Sequence, residues 1–83
     1  MLTIKILGSG CPNCKRLEQL TKKAVGQLGI EADVLKVTDP TKYADYGIIS
    51  TPGLVIDEKT VSAGRVPSFA EVTSLITSAL SDK

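Results

Sequence analysis

The chain has 83 residues, two cysteines, no histidine, no tryptophan, one phenylalanine and two tyrosines, with a formal net charge of +1. That length suits one small domain spanning residues 1–83, whose core must come from aliphatic side chains. Lysine and arginine are scattered rather than clustered, and no stretch nears the roughly 18 apolar residues of a membrane span, so neither nucleic acid nor membrane is an expected partner.

In chain order, Leu2, Ile4 and Ile6 alternate with Thr3 and Lys5, which predicts a strand with one face buried. The same segment, with its short apolar run broken by Lys5 and no small-residue cleavage site, does not read as a secretory signal. The cytoplasm is therefore the expected compartment, where a close cysteine pair is catalytic or metal-binding more often than structural. Gly8-Ser9-Gly10 ends the strand. From Pro12 the period changes to helical, with Leu17, Leu20, Ala24 and Leu28 on one stripe and Gly29 as a left-handed cap. Gly26, inside that helix, is read as a point of close packing.

A second strand is predicted from about Ala32 to Val37. Asp39 then caps a short helix with Pro40 in its first turn and Gly47 at its end. Tyr43 and Tyr46 on that helix are expected to pack half-buried. Ile48 and Ile49 read equally well as core or as an apolar rim for a partner. Leu54-Val55-Ile56 is a third strand, Asp57-Glu58-Lys59 a hairpin turn, and Val61 to Ala63 a fourth strand. Asp45, Asp57 and Glu58 are expected to be solvated. Ser68-Phe69-Ala70-Glu71 has capping-box spacing, and Phe69, Val72, Leu75, Ile76 and Leu80 give a final helix an apolar face. The order is strand, helix, strand, helix, strand, strand, helix: an α/β fold whose opening demands a parallel pair and a right-handed crossover. The predicted sheet is four-stranded and mixed, with helices on both faces.

Cys11-Pro12-Asn13-Cys14 falls where the first strand hands over to a helix. Residues three apart in a helical turn lie about 5–6 Å from one another, a separation that a disulfide spans. Cys11 meets the helix N-terminus, where free N–H groups and the helix dipole favour a thiolate and make the thiol reactive. Pro12 sacrifices no helical hydrogen bond there. Cys14, further in, suits the resolving role, and Asn13 brings neither charge nor titratable proton. Other uses of the pair are a structural staple, half a zinc site, or a soft-metal carrier. A staple closing so short a loop yields only about 2 kcal/mol. Four-coordinate zinc lacks further Cys or His ligands. A two-thiolate carrier of the ferredoxin-like type would end on a strand, whereas this chain ends on a helix. No metal and no built-in cofactor are expected; no nucleotide fingerprint is present.

Cys11-Pro12-Asn13-Cys14, taken with Ser50-Thr51-Pro52 before the third strand, resembles the minimal thioredoxin-like proteins of archaea and bacteria. The likeness runs through 4–15, 47–57 and 62–68. It implies the thioredoxin fold, a cis Thr51–Pro52 bond facing the cysteines, and thiol–disulfide exchange in which Cys11 attacks and Cys14 resolves. It further implies that Thr51, Pro52 and Gly64 bind substrate. The implied partners are disulfide-containing proteins and an upstream disulfide reductase, with the chain a monomer. Thioredoxins carry Trp where this chain has Gly10, and a buried acid where it has Lys5; Lys5 is read as reaching out from the less covered sheet face. Of the features that hold glutathione in glutaredoxins only Gly64 is present, so glutathione dependence is not expected.

Overall fold

Alternation in the first strand sends Leu2, Ile4 and Ile6 into one apolar layer and Leu7 into another. The structure, a computed structural model, describes residues 2–8, 12–48 and 51–81. Strand β1 (Leu2–Leu7) pairs in parallel with β2 (Ala32–Val37), from Leu2 opposite Ala32 to Leu7 opposite Val37. On its other side it runs antiparallel to β3 (Gly53–Ile56), which pairs antiparallel with β4 (Lys59–Ala63), giving the order β2-β1-β3-β4.

Helices α1 (Pro12–Leu28) and α3 (Phe69–Ser81) cover one face. There Leu2, Ile4 and Ile6 of β1 and Leu54 and Ile56 of β3 meet Leu17 and Ala24 of α1 and Val72 and Ile76 of α3. The opposite face carries α2 (Pro40–Tyr43), which tightens into a 3-10 turn over Ala44–Tyr46. Beneath it Leu7, Val55 and Ile48 form a smaller cluster with Val37, Tyr43 and Tyr46 packed against it. Ile48 is thus core rather than rim; Ile49 lies outside the described residues.

Local chemistry sets the ends of these elements. Gly29 closes α1 at φ 65°, its N–H donating to the Val25 carbonyl at 3.1 Å. Asp39 caps α2 by accepting from the N–H and hydroxyl of Thr41 at 3.0 and 2.8 Å, and Gly47 ends the 3-10 turn at φ 69°. Ser68 Oγ accepts from the Glu71 N–H at 3.2 Å, capping α3.

Several expectations need correcting. A side chain on Gly26 would meet nothing within 4 Å, because that residue faces solvent and not a neighbouring element. Thr21 is fully buried on the α1 stripe while Leu20 is only half-buried; the Thr21 hydroxyl is satisfied by the Leu17 carbonyl at 2.8 Å. Leu80 is 39% exposed, and Ala79 packs against the core instead. The hairpin turn consists of Asp57 and Glu58, at φ 49° and 69°, with Lys59 already in β4 and a bulge between Leu54 and Val55.

Asp57 and Glu58 are not simply solvated. Asp57 accepts from the Thr3 N–H at 3.0 Å and donates its own N–H to the Thr3 carbonyl at 2.8 Å, tying the turn to β1. Glu58 enters a network described below.

Candidate functional site

The carboxyl end of β1 is where three stretches of chain converge. Gly8 continues the β1–β2 ladder by donating its N–H to the Val37 carbonyl at 2.9 Å. Cys14 sits in the first turn of α1, 4% exposed, and is disulfide-bonded. Cys11, the chain's other cysteine, lies outside the described residues, as do Ser9 and Gly10.

Gly8 and Cys14 pack with no room for a side chain on Gly8. A Cβ built on Gly8 would overlap Cys14 Sγ, stand 3.0 Å from Cys14 Cβ, and lie 3.9 Å from Thr51 Cβ. Only hydrogen fits in that space, so glycine is required by proximity and not by backbone angle. Gly8 was legible in the sequence only as a strand breaker. Its position three residues before Cys11, at the end of an alternating strand, was the available signal.

Thr51 and Pro52 enter from the segment before β3. Their peptide bond is cis. Thr51 is exposed, whereas Pro52 is buried. The Pro52 carbonyl accepts from the Gly64 N–H at 2.9 Å, and Gly64 has φ 78°, so the turn after β4 is fastened to the proline. The residues named from the sequence therefore fall into two linked pairs: Cys14 beside Thr51 across Gly8, and Pro52 bonded to Gly64.

Lys5 belongs to neither pair. It lies on the α2 face, 22% exposed, and its ammonium donates to Tyr46 Oη at 2.7 Å and to Glu58 Oε1 at 2.6 Å. Tyr46 Oη in turn donates to Glu58 Oε2 at 3.0 Å, and the ammonium stands 5.3 Å from the Tyr46 ring centroid. Its hydrogen bond to Glu58, followed by that to Tyr46, raises Lys5 above the ordinary lysine value. Lys5 and then Tyr46 hold the Glu58 carboxyl below the ordinary carboxylate value. Instead of merely reaching solvent, Lys5 joins β1, the 3-10 turn and the β3–β4 turn. Thr60 Oγ1 adds a further tie by donating to the Tyr46 carbonyl at 2.7 Å.

Among the described residues no group of three or more His, Cys, Asp or Glu side chains gathers as a metal site would require. No helix among them is long and apolar enough to cross a membrane.

Comparison with known proteins agrees with this architecture. The family model described as "Thioredoxin domain" matches residues 2–77. A thioredoxin of Methanocaldococcus jannaschii is 40% identical over 83 residues, covering all of this chain and 95% of that protein. A thioredoxin of Methanothermobacter thermautotrophicus is 36% identical over 76 residues, covering 92% of this chain and 99% of its own length. Among solved structures, the germline-specific thioredoxin Deadhead of Drosophila melanogaster superposes with a TM-score of 0.68 at 18% identity. That superposition covers 93% of this chain and 79% of the fly protein.

Proposed function

Because this chain belongs to the thioredoxin-domain family and is a thioredoxin-like disulfide oxidoreductase, we propose that it reduces protein disulfides through Cys11 and Cys14. Cys11, as thiolate, attacks one sulfur of a substrate disulfide and releases the other as a thiolate. Cys14 then attacks Cys11, breaking the mixed disulfide and freeing the second substrate sulfur. Two electrons pass to the substrate, and the protein is left with the Cys11–Cys14 disulfide. An upstream disulfide reductase restores the dithiol.

The observation that carries this reading is the setting of Cys14: disulfide-bonded, buried in the first turn of α1, and pressed against Gly8 beside Thr51. A sulfur so enclosed cannot meet a large substrate directly, but it can close on a neighbour three residues away. Exposed Thr51, with buried Pro52 fastened to Gly64 behind it, stands near Cys14 across Gly8 and offers its backbone to an extended substrate segment. The chain works as a single domain and a monomer in the cytoplasm, and holds no cofactor or metal of its own.

Reduction of insulin by dithiothreitol, followed by turbidity, tests the proposal. The wild-type chain should accelerate precipitation and Cys11→Ser should not. Equal precipitation with and without the wild-type chain would overturn it.

A further inference from the structure

Only a thiolate attacks a disulfide, so a buried thiol that must close on a mixed disulfide has to deliver its proton to something. Cys14 is 4% exposed, and a cavity of about 220 Å³ borders it. Its lining includes Ile6 from β1, Gly8 just after it, Lys36 from β2, and Cys14, Lys15 and Glu18 from α1. Glu18 follows Cys14 by four residues, so the two side chains rise from one helix face with Cβ atoms about 5–6 Å apart. The Glu18 side chain is 15% exposed. Its Oε2 is 3.6 Å from Lys22 Nζ and its Oε1 is 3.4 Å from Lys36 Nζ, which anchor the carboxylate between α1 and β2.

Among the described residues lining this cavity Glu18 is the one carboxylate. The charged groups around it are Lys15 and Lys22 from α1 and Lys36 from β2, while Ile6 of β1 and Gly8 after it are uncharged. Lys5 is on the other face of the sheet with Tyr46 and Glu58. A volume of this size accommodates several waters, each needing about 30 Å³, enough to bridge a thiol and a carboxylate.

We propose that Glu18 is the proton acceptor of Cys14, reached through water in this cavity, an inference that rests on the exchange chemistry proposed above. As the Cys14 sulfur forms its bond to Cys11, the bond between Cys11 and the substrate sulfur breaks and that sulfur leaves as a thiolate. The Cys14 proton passes to the Glu18 carboxylate, which later returns it to solvent. Lys15 and Lys36 line the same cavity, and their positive charge favours the transient thiolate. Glu18 acts through solvent as a positioning and relay residue.

The test uses 5,5′-dithiobis(2-nitrobenzoate), whose reaction with the reduced chain releases two coloured thiolates, the first on attack and the second when Cys14 closes. In Glu18→Gln the first phase should match wild type. The second should slow about 10- to 100-fold near neutrality, the lower part of the range for general base catalysis and below it. The difference should shrink as the pH rises past the ordinary thiol value of about 8.5 and the thiol begins to ionise unaided. Formate should restore the second phase in Glu18→Ala, and Glu18→Asp should keep part of it. A second phase with the wild-type pH profile in Glu18→Gln would overturn the proposal. So would equal slowing at every pH with no formate rescue. Insulin reduction on the same preparations separates the two readings. A wild type inert toward insulin whose second phase still depends on Glu18 removes the protein-disulfide reading and keeps the relay. An insulin-active wild type with a Glu18-independent second phase does the reverse.

Discussion

The two faces of the sheet are built on different principles. Under α1 and α3 the contacts are aliphatic and almost fully buried, from Leu2 at one end of β1 to Ile76 on α3. Under α2 the cluster has three buried members, Leu7, Ile48 and Val55, and its rim is a charged network of Lys5, Tyr46 and Glu58. Non-directional burial can hold a rigid platform, whereas a small layer needs directional bonds to fix its chain segments. The first face supports α1, and hence Cys14. The second secures the 3-10 turn and the β3–β4 hairpin, between which the segment carrying Thr51 and Pro52 runs.

The contrast breaks most readily at the large core. Leu17→Ala or Ile76→Ala should cost about 2–5 kcal/mol in urea unfolding, because each leaves a cavity in a layer with no polar support. Ile48→Ala should fall at the low end of that range, since half-buried Tyr43 and Tyr46 can move in. Equal losses for Leu17→Ala and Ile48→Ala would make the two faces equivalent as scaffolds.

Gly8→Ala is expected to cost about 1–3 kcal/mol by overpacking and to slow insulin reduction as well, because the added methyl can be accommodated only by moving the Cys14 side chain. Gly53→Ala offers the control from the α2 side. Its methyl would overlap only Ile48 Cδ1, the end of a side chain that can turn away, so stability should drop less and exchange should be spared. Circular dichroism melts together with the turbidity assay would check both.

Charge distinguishes the faces by pH. Glu58 is held low when folded, so its contribution is present above the ordinary glutamate value and disappears as acid carries the pH through its depressed one. Lys5 is held high, so its contribution is complete below the ordinary lysine value and is lost as alkali passes its raised one. Melting temperatures of wild type and Glu58→Gln should therefore differ by a constant amount around neutrality and converge at both extremes. A difference that persists in strong acid would place the effect in packing instead.

The smallest change is a gain. Gly26→Ala should stabilise by about 0.5–1 kcal/mol, since a methyl there meets nothing and the helix gains propensity. Chemical denaturation would detect it, and a loss would mean that α1 packs more closely than described.

Much of this organisation was legible because burial imposes periods: two along β1, 3.6 along α1 and α3. The cysteine pair at a strand-to-helix junction marked the site for the same reason, since that junction brings free N–H groups and a helical spacing of three. Partnerships across the sheet were not legible. Nothing in the string ties Lys5 to Glu58, 53 residues away, because the bulge and the two positive-φ turn residues that aim Glu58 toward β1 are tertiary choices. Thr21 takes the buried place on the α1 stripe expected of Leu20, since its hydroxyl is satisfied within its own helix. Gly8 and Glu18 escaped notice because their meaning lies in what stands beside Cys14, and no periodicity reports that.

The division of labour between the two cysteines is the central claim, and trapping of the mixed disulfide tests it most directly. The reduced Cys14→Ser chain, incubated with oxidised insulin and examined by non-reducing mass spectrometry, should accumulate a covalent adduct on Cys11, because the sulfur that would release it is gone. The reduced Cys11→Ser chain should accumulate almost none, since Cys14 is enclosed by Gly8 and the first turn of α1. Adducts on Cys14 in Cys11→Ser, with none on Cys11 in Cys14→Ser, would contradict the account.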